Sequence, residues 1–247
     1  MDLGLSGKSV LVTGGSKGIG LACAKAFAAE GCHVHLAARD RARLEKTKSE
    51  LGGRATVHGV DLRDGKALCG LAEACADVDI LVNNAGDIPG GTLASVVEEK
   101  WRHAWELKVF AYIDLSRLMY ARMQARKSGV IVNVIGMAAE KPAFEYICGS
   151  TANAGLAAFT KALGKGMAEH GVRVLGVHPP STRTDRIVTV MKGAAKAKFG
   201  DESRYQELAG EGPFAGLIEP EQVADVVAFL ASPRCAHLTG VVLNLGP

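Results

Sequence analysis

The run Thr13-Gly14-Gly15-Ser16-Lys17-Gly18-Ile19-Gly20 is the clearest candidate for chemistry in this chain. A β-rich segment, Ser9–Val12, leads into it and a helical segment, Leu21–Glu30, follows. Residues without a Cβ let the backbone bend sharply and approach an anion, and a helix N-terminus then offers free N–H groups to it. The placement predicts a phosphate cradle for a dinucleotide, built from Gly14, Ser16, Lys17, Gly18, Ile19 and Gly20. A turn that only packs helix on strand is the bland alternative, and its position after the first strand of a βαβ unit argues against it.

Charge at the end of the second strand narrows the ligand. An acid there would bond two ribose hydroxyls and repel a 2′-phosphate. Ala38 holds that position and is neutral, Arg39 follows it, and Lys17 lies in the glycine turn. Two cations flanking a 2′-phosphate favour NADP(H) over NAD(H); solvated surface roles for both remain the alternative, and Asp40 beside Arg39 counts against the pair.

A second feature is a cation in an apolar stripe. Trp101, Trp105, Lys108, Tyr112, Leu115 and Met119 recur at spacings of four and three, one face of a helix expected over about 98–125. An unpaired buried ammonium is costly, so Lys108 has either a partner in the fold or a route for its head group to solvent or to an acid.

Short β-rich runs alternate with longer helical ones: Ser9–Val12, Val34–Ala37, Thr56–Val60, Ile80–Val82, Val130–Val134, Arg173–His178 and Val241–Leu245. That rhythm predicts an α/β fold, a doubly wound parallel sheet of about seven strands with helices on both faces, in one domain spanning 1–247. The stretch 185–216 departs from it, with Gly193, Gly200, Gly210, Gly212 and Pro213 among Lys and Glu, and is expected to be a flexible insertion over a pocket.

Composition sets limits. With 48% apolar and 22% charged residues the chain can bury a full core. The formal charge of +3 is spread along the chain, so a nucleic-acid partner is not expected. Nor is a membrane, because no apolar stretch approaches the roughly 20 residues needed to span one. Six cysteines, with no CxxC pair, no metal-ligand grouping with histidine and no signal peptide before them, read as reduced thiols in the cytoplasm, with no metal site.

Three motifs in order carry a resemblance: the TGxxxGIG turn, Asp61-Leu62 after the third strand, and Asn83-Asn84-Ala85-Gly86 after the fourth. Together with the strand Ile131–Val134, the helix 150–169 and the Thr239-Gly240 turn, they resemble the short-chain dehydrogenase/reductase family over almost the whole chain. The resemblance implies a Rossmann-type fold. It places Asp61 by the adenine, Asn83, Ala85 and Gly86 by the adenosine ribose, and Thr184 by the nicotinamide carboxamide, with Leu62 and Pro179 also among the cofactor-binding residues. A structural role for Asn83, tying the fourth strand to its neighbours, is the alternative. The resemblance also implies a small-molecule substrate and a homo-oligomer, dimer or tetramer, paired through the helices after the fourth and fifth strands; Trp101, Trp105 and Tyr112 would give the first of these its apolar area.

At the catalytic positions the chain departs from that family. Members that reduce carbonyls use a tyrosine acid, a lysine four residues later, a carbonyl-polarising serine and a water-ordering asparagine. Here those positions hold Gly149, Asn153, Gly136 and Lys108. Two glycines can neither donate a proton nor polarise a carbonyl, and they would open space for a bulkier substrate. Lys108 and Asn153 look like an exchanged pair. Among Tyr146, Cys148, Ser150 and Thr151, the longest reach toward the vacated acid position belongs to Tyr146, which could equally be a pocket wall. His178 is expected to be satisfied structurally. Two functions lead, an NADP(H)-dependent oxidoreductase interconverting carbonyl and alcohol in a rearranged site and an NADP(H)-binding sensor or assembly protein without turnover; a lyase or isomerase on the same scaffold has no positive motif but stays open.

Overall fold

The computed structural model describes residues 1–209 and 216–246. Along the chain run β1 (Ser9–Thr13), α1 (Gly18–Ala29), β2 (His33–Ala38), α2 (Arg41–Glu50), β3 (Ala55–Gly59), α3 (Gly65–Ala74), β4 (Ile80–Asn83), α4 (Glu98–Trp105), α5 (Ala111–Ala125), β5 (Gly129–Val134), α6 (Ile147–Met167), β6 (Val172–His178), α7 (Asp185–Phe199), α8 (Pro220–Ala231) and β7 (Val241–Asn244). The seven strands expected from the sequence form one parallel sheet in the order β3-β2-β1-β4-β5-β6-β7. This is a doubly wound Rossmann-type sheet. Its order reverses between β1 and β4, where a crevice opens outside the carboxyl ends of the strands.

Two cores cover the sheet. On one face Val10, Val12, Val34 and Leu36 pack with Phe27 of α1 and with Val223 and Val227 of α8; on the other, Leu11, Leu81 and Ile131 pack with Leu68 of α3 and with Leu115 and Met119 of α5. Strands covered on both sides read as continuous apolar runs, which is why they were visible in the sequence. Asp40 and Asp64 cap α2 and α3 through their carboxylates. Arg173 of β6 donates to the carbonyls of Leu230, Ala231, Ser232 and Cys235 at 2.8–3.1 Å, taking up orphan carbonyls at the end of α8. Among the described residues, no helix is long and apolar enough to cross a membrane.

Two expectations change. The helix over 98–125 is interrupted by a π-helical turn, Glu106–Phe110, with Lys108 at its centre; such widened turns gather at functional sites. The stretch 185–216 is not without regular structure. It contains the 15-residue helix α7, with Thr184 as N-cap and a left-handed Gly200 as C-cap, and a 3₁₀ segment, Glu202–Ala209, whose Arg204 guanidinium lies 4.3 Å from the Phe199 ring centre. The glycines drew attention, yet Gly193 sits within α7 and Gly200 ends it. Gly210, Gly212 and Pro213 lie outside the described residues.

Candidate active site

The glycine turn joins β1 to α1 as expected. A Cβ on Gly20 would fall 2.2 Å from the Gly14 carbonyl oxygen and 2.5 Å from Asn84 Nδ2, and Gly14 and Gly18 have φ of +68° and +53°. No side chain caps α1 and no acid sits in its first turn, leaving its N-terminal N–H groups available to an anion. Ser16 and Ile19 are half-buried beside it, and Ile19 lines the adjoining cleft.

The turn is fixed to the β4 end by one hydroxyl. Thr13 Oγ1 accepts from Asn84 N at 2.9 Å and from Ala85 N at 3.1 Å, and donates to the Val82 carbonyl; Asn84 Nδ2 returns a bond to the Thr13 carbonyl. Asn83 has a different job from its neighbours. Its buried amide donates to Ser116 Oγ at 3.1 Å and Asn133 Oδ1 at 2.9 Å. Its side chain therefore ties β4 to α5 and β5, the structural role that stood as the alternative for Asn83.

At the far end of this half, Lys17 and Arg39 are exposed, and no hydrogen bond or ion pair joins the side chain of either to a described residue. Asp40, the counter-charge beside Arg39, is engaged in capping α2 and pairs with Arg43 at 3.2 Å. Asp61 pairs with Arg63, which holds its carboxyl below the usual carboxylate range, with Arg39 helping. Leu62 is buried in the core beneath.

The second half of the site is a cleft lined by Lys108, Tyr146, Asn153, Pro179, Thr184 and Arg186, with Asn84 and Gly86 on the dinucleotide side. Lys108 is only 7% exposed. Its Nζ donates to the Val134 carbonyl at 2.7 Å and to Tyr112 Oη at 3.0 Å, and lies 4.8 Å from the Tyr112 ring centre. Its partners are thus a carbonyl and a phenol, with no carboxylate. Burial pulls Lys108 down to about 7, and the Arg186 guanidinium pushes the same way. Gly86 makes room for the stem, because a Cβ there would lie 2.8 Å from Lys108 Cδ.

The two glycines at the family's catalytic positions do not leave empty space. A Cβ on Gly149 would fall 2.1 Å from Tyr146 Cε1 and Cζ and 2.6 Å from its Oη; a Cβ on Gly136, where φ is +134°, would fall 2.8 Å from Asn153 Nδ2. The Tyr146 phenol lies across the position that a side chain at 149 would leave from, and the Asn153 amide does the same at 136. The expectation of room for a bulkier substrate at these glycines is therefore wrong. Burial raises the Tyr146 phenol, and Arg186 is the cation that opposes the rise.

The other donors considered near Gly149 have their own surroundings. Ser150 Oγ accepts from Ala143 N, Thr151 Oγ1 donates to the Ile147 carbonyl at the surface, and Cys148 is buried. Lys108 and Asn153 line one cleft, but no hydrogen bond joins them. Asn153 Oδ1 is buried without a hydrogen-bond partner; the buried His178 has Nδ1 3.6 Å from a Glu140 carboxylate, and burial lowers its pKa while Glu140 and Asn244 oppose the fall. Arg186, held by Asp87 and the Ile88 carbonyl, escaped the sequence reading because its helix was taken for an irregular insertion. Thr184 caps that helix and its methyl sits where a Cβ on Gly18 would be 3.0 Å away, bringing α7 against the glycine turn.

Residues 8–194 match the short chain dehydrogenase family, three-quarters of the sequence. The chain belongs to that family. A 3-oxoacyl-[acyl-carrier-protein] reductase of Vibrio cholerae is 32% identical over 98% of this chain and 97% of its own length. A 2,3-dihydro-2,3-dihydroxybenzoate dehydrogenase of Bacillus subtilis is 30% identical over 96% and 93%. The structure of L-sorbose reductase from Gluconobacter frateurii, complexed with NADPH and L-sorbose, superposes with a TM-score of 0.92 at 32% identity, covering 100% of this chain and 97% of that one. This member of the short-chain dehydrogenases shares its sheet and helices with that reductase over the whole chain.

Proposed function

We propose that this chain is an NADP(H)-dependent oxidoreductase that interconverts a carbonyl and an alcohol, with Tyr146, Lys108 and Asn153 doing the work of the family's missing residues. The observation that carries the reading is the Tyr146 ring lying 2.1 Å from where a Cβ on Gly149 would be. A phenol is thereby delivered to the family's acid position from three residues earlier in the chain, and glycine at 149 is what lets it in.

The residues fit the absent cofactor. The uncapped α1 terminus and the bare glycine turn suit a pyrophosphate, the uncommitted Lys17 and Arg39 suit a 2′-phosphate, and Asn153 Oδ1 is a buried acceptor still lacking a donor such as a ribose hydroxyl. NADPH is also what the solved L-sorbose reductase and actinorhodin ketoreductase hold, although a 7α-hydroxysteroid dehydrogenase of the same fold is complexed with NADH. When bound, the nicotinamide would supply or accept the hydride. In the reduction direction Tyr146 Oη gives its proton to the carbonyl oxygen, and the resulting phenolate is stabilised by the Arg186 guanidinium across the cleft. Lys108 holds a second positive charge beside the reacting atoms, fixed by Val134 and Tyr112 so that it needs no reorganisation during the reaction.

The test is a fluorescence titration with NADPH and with NADH, followed by an absorbance screen of ketones, aldehydes and alcohols. NADPH binding with turnover that falls in both Tyr146→Phe and Lys108→Met is expected. Turnover lost in Lys108→Met but intact in Tyr146→Phe would make the lysine the acid and Tyr146 a wall. Tight binding with no turnover of any compound would favour the sensor. Members of this family commonly assemble, and a dimer or tetramer is expected by sizing; Tyr112, fully buried within the chain, contributes nothing to such an interface.

A further inference from the structure

Away from the cleft, three side chains that the sequence keeps far apart meet on the outer edge of the sheet. His35 of β2 and His58 of β3 lie on adjacent parallel strands, diagonal neighbours on one face, since Ala37 is the residue in register with His58. Cys75 ends α3 above them and is buried, whereas both imidazoles are half-buried. His35 Nδ1 and His58 Nε2 are 3.0 Å apart, and Cys75 Sγ stands 3.5 Å from the first and 3.7 Å from the second.

We infer that His35 Nδ1, His58 Nε2 and Cys75 Sγ form a site for one thiophilic divalent ion of the zinc class, with a fourth coordination position left open. Bond lengths of about 2.0–2.1 Å to imidazole and about 2.3 Å to thiolate require N···S separations of roughly 3.6 Å and an N···N separation of roughly 3.3 Å around a tetrahedral ion. The two sulfur distances already match and the nitrogens need to part by a few tenths of an ångström. Two nitrogens with one thiolate are a borderline-soft donor set, suited to zinc and cobalt and poorly suited to magnesium or calcium.

The surroundings agree with that geometry. Burial and the neighbouring His58 and His33 hold His35 down to about 4, so it is neutral at physiological pH, and an ion would take the place of the proton it shares with His58. Burial raises the Cys75 thiol, and the charge opposing the rise is Arg122 on α5. Binding therefore converts the thiol to a thiolate and releases one proton to solvent, the ion replacing the proton as partner of the sulfur. The site would pin the C-terminal end of α3 to the two outermost strands, upstream of the loops that carry Arg39 and Asp61.

The experiment uses the full chain, stripped with chelator and titrated with Co²⁺, then with Zn²⁺. One Co²⁺ per chain is expected, with a thiolate-to-cobalt charge-transfer band in the near ultraviolet that Zn²⁺ abolishes, and with a higher Tm for the loaded protein. Cys75→Ser should lose the band, whereas Cys69→Ser, which removes an exposed thiol, should keep it. His58→Gln, a half-exposed and milder change, should weaken Co²⁺ binding at least about tenfold while circular dichroism and NADPH binding stay unchanged. Absence of the band in the folded wild-type chain overturns the site, as does its persistence in Cys75→Ser. If Cys75→Ser does not fold, unchanged affinity in His58→Gln overturns it alone. The readout is spectral, so loss of the site and loss of the proposed reductase activity are separate outcomes.

Discussion

The two halves of the cleft are finished to different degrees. On the dinucleotide side, polar groups close on one another: Thr13 holds Asn84 and Ala85, and Asn83 passes through Asn133 to Thr160 and the Leu156 carbonyl. On the reacting side, Asn153 Oδ1 is buried with nothing bonded to it, and Lys108 is an ammonium without a carboxylate. Among the described residues the only other buried side-chain polar atoms without a hydrogen bond are the ring nitrogens of His178, which does not line the cleft and has Glu140 beside it. Leaving such atoms unmet costs about 1–3 kcal/mol each. An acceptor left open on the wall of the cleft suits a donor that a ligand would bring.

The contrast breaks most sharply at the glycine turn. Gly20→Ala places a methyl 2.2 Å from a backbone oxygen that has no flexible end to move. NADPH affinity should fall at least about a hundredfold in a fluorescence titration, because the backbone N–H groups lose the geometry that meets the phosphates. Unchanged affinity would show that the closed half is not the cofactor half.

On the open side, Tyr146→Phe should lower kcat by about 10²–10⁴-fold with little change in NADPH affinity, the range expected for loss of a positioned acid. Gly149→Ala tests the same phenol without touching it. The new methyl displaces the Tyr146 ring, so its loss should approach that of Tyr146→Phe, and the double variant should be little worse than either alone. Additive losses would mean that Gly149 and Tyr146 act separately, and the delivery of the phenol through that glycine would then be wrong.

A smaller effect sharpens the cofactor side. Replacing Arg39 by Ser removes a charge that makes no hydrogen bond or ion pair within the described chain, so the fold should not respond. Affinity for NADPH should drop about tenfold while that for NADH stays level, the size expected of one charge-assisted contact to phosphate. Equal losses for both cofactors would remove the 2′-phosphate from the argument.

These two halves were also unequally legible in the sequence. A strand covered on both faces has to be apolar throughout, so β1 and β4 are continuous apolar runs, and glycines required by backbone contact mark the turn at 13–20 without reference to anything distant. The reacting half depends on side chains reaching around missing neighbours. Vacated positions at 136 and 149 show in the sequence as losses, whereas what fills them, Asn153 and the Tyr146 ring, depends on the rotamers of other residues. Arg186 was hidden by glycines at 193 and 200, one inside its helix and the other ending it, that look like punctuation in a linear reading. Strand register joins His35 to His58, and no spacing along the chain announces it.

Lys108 tests whether the open half has been kept at the expense of stability. It loses its proton at about 7 in the folded chain, against an ordinary value of 10.5. Between these values the unfolded chain binds the extra proton, so this residue makes stability rise with pH from about 7 to about 10.5, and its full penalty stands below 7. Lys108→Met removes the penalty and keeps the stem that packs on Gly86. Its Tm should exceed that of the wild type by a few degrees at pH 6–7, an advantage that shrinks toward pH 10. Reduction by the wild-type enzyme should move the opposite way, falling as pH rises through about 7 because the ammonium beside the cleft is lost, and the Lys108→Met rate should lack that step. Paired thermal melts and rate profiles over the same pH range check both signs. A variant that is less stable at every pH would show that the bonds to Val134 and Tyr112 outweigh the buried charge, making Lys108 a part of the core.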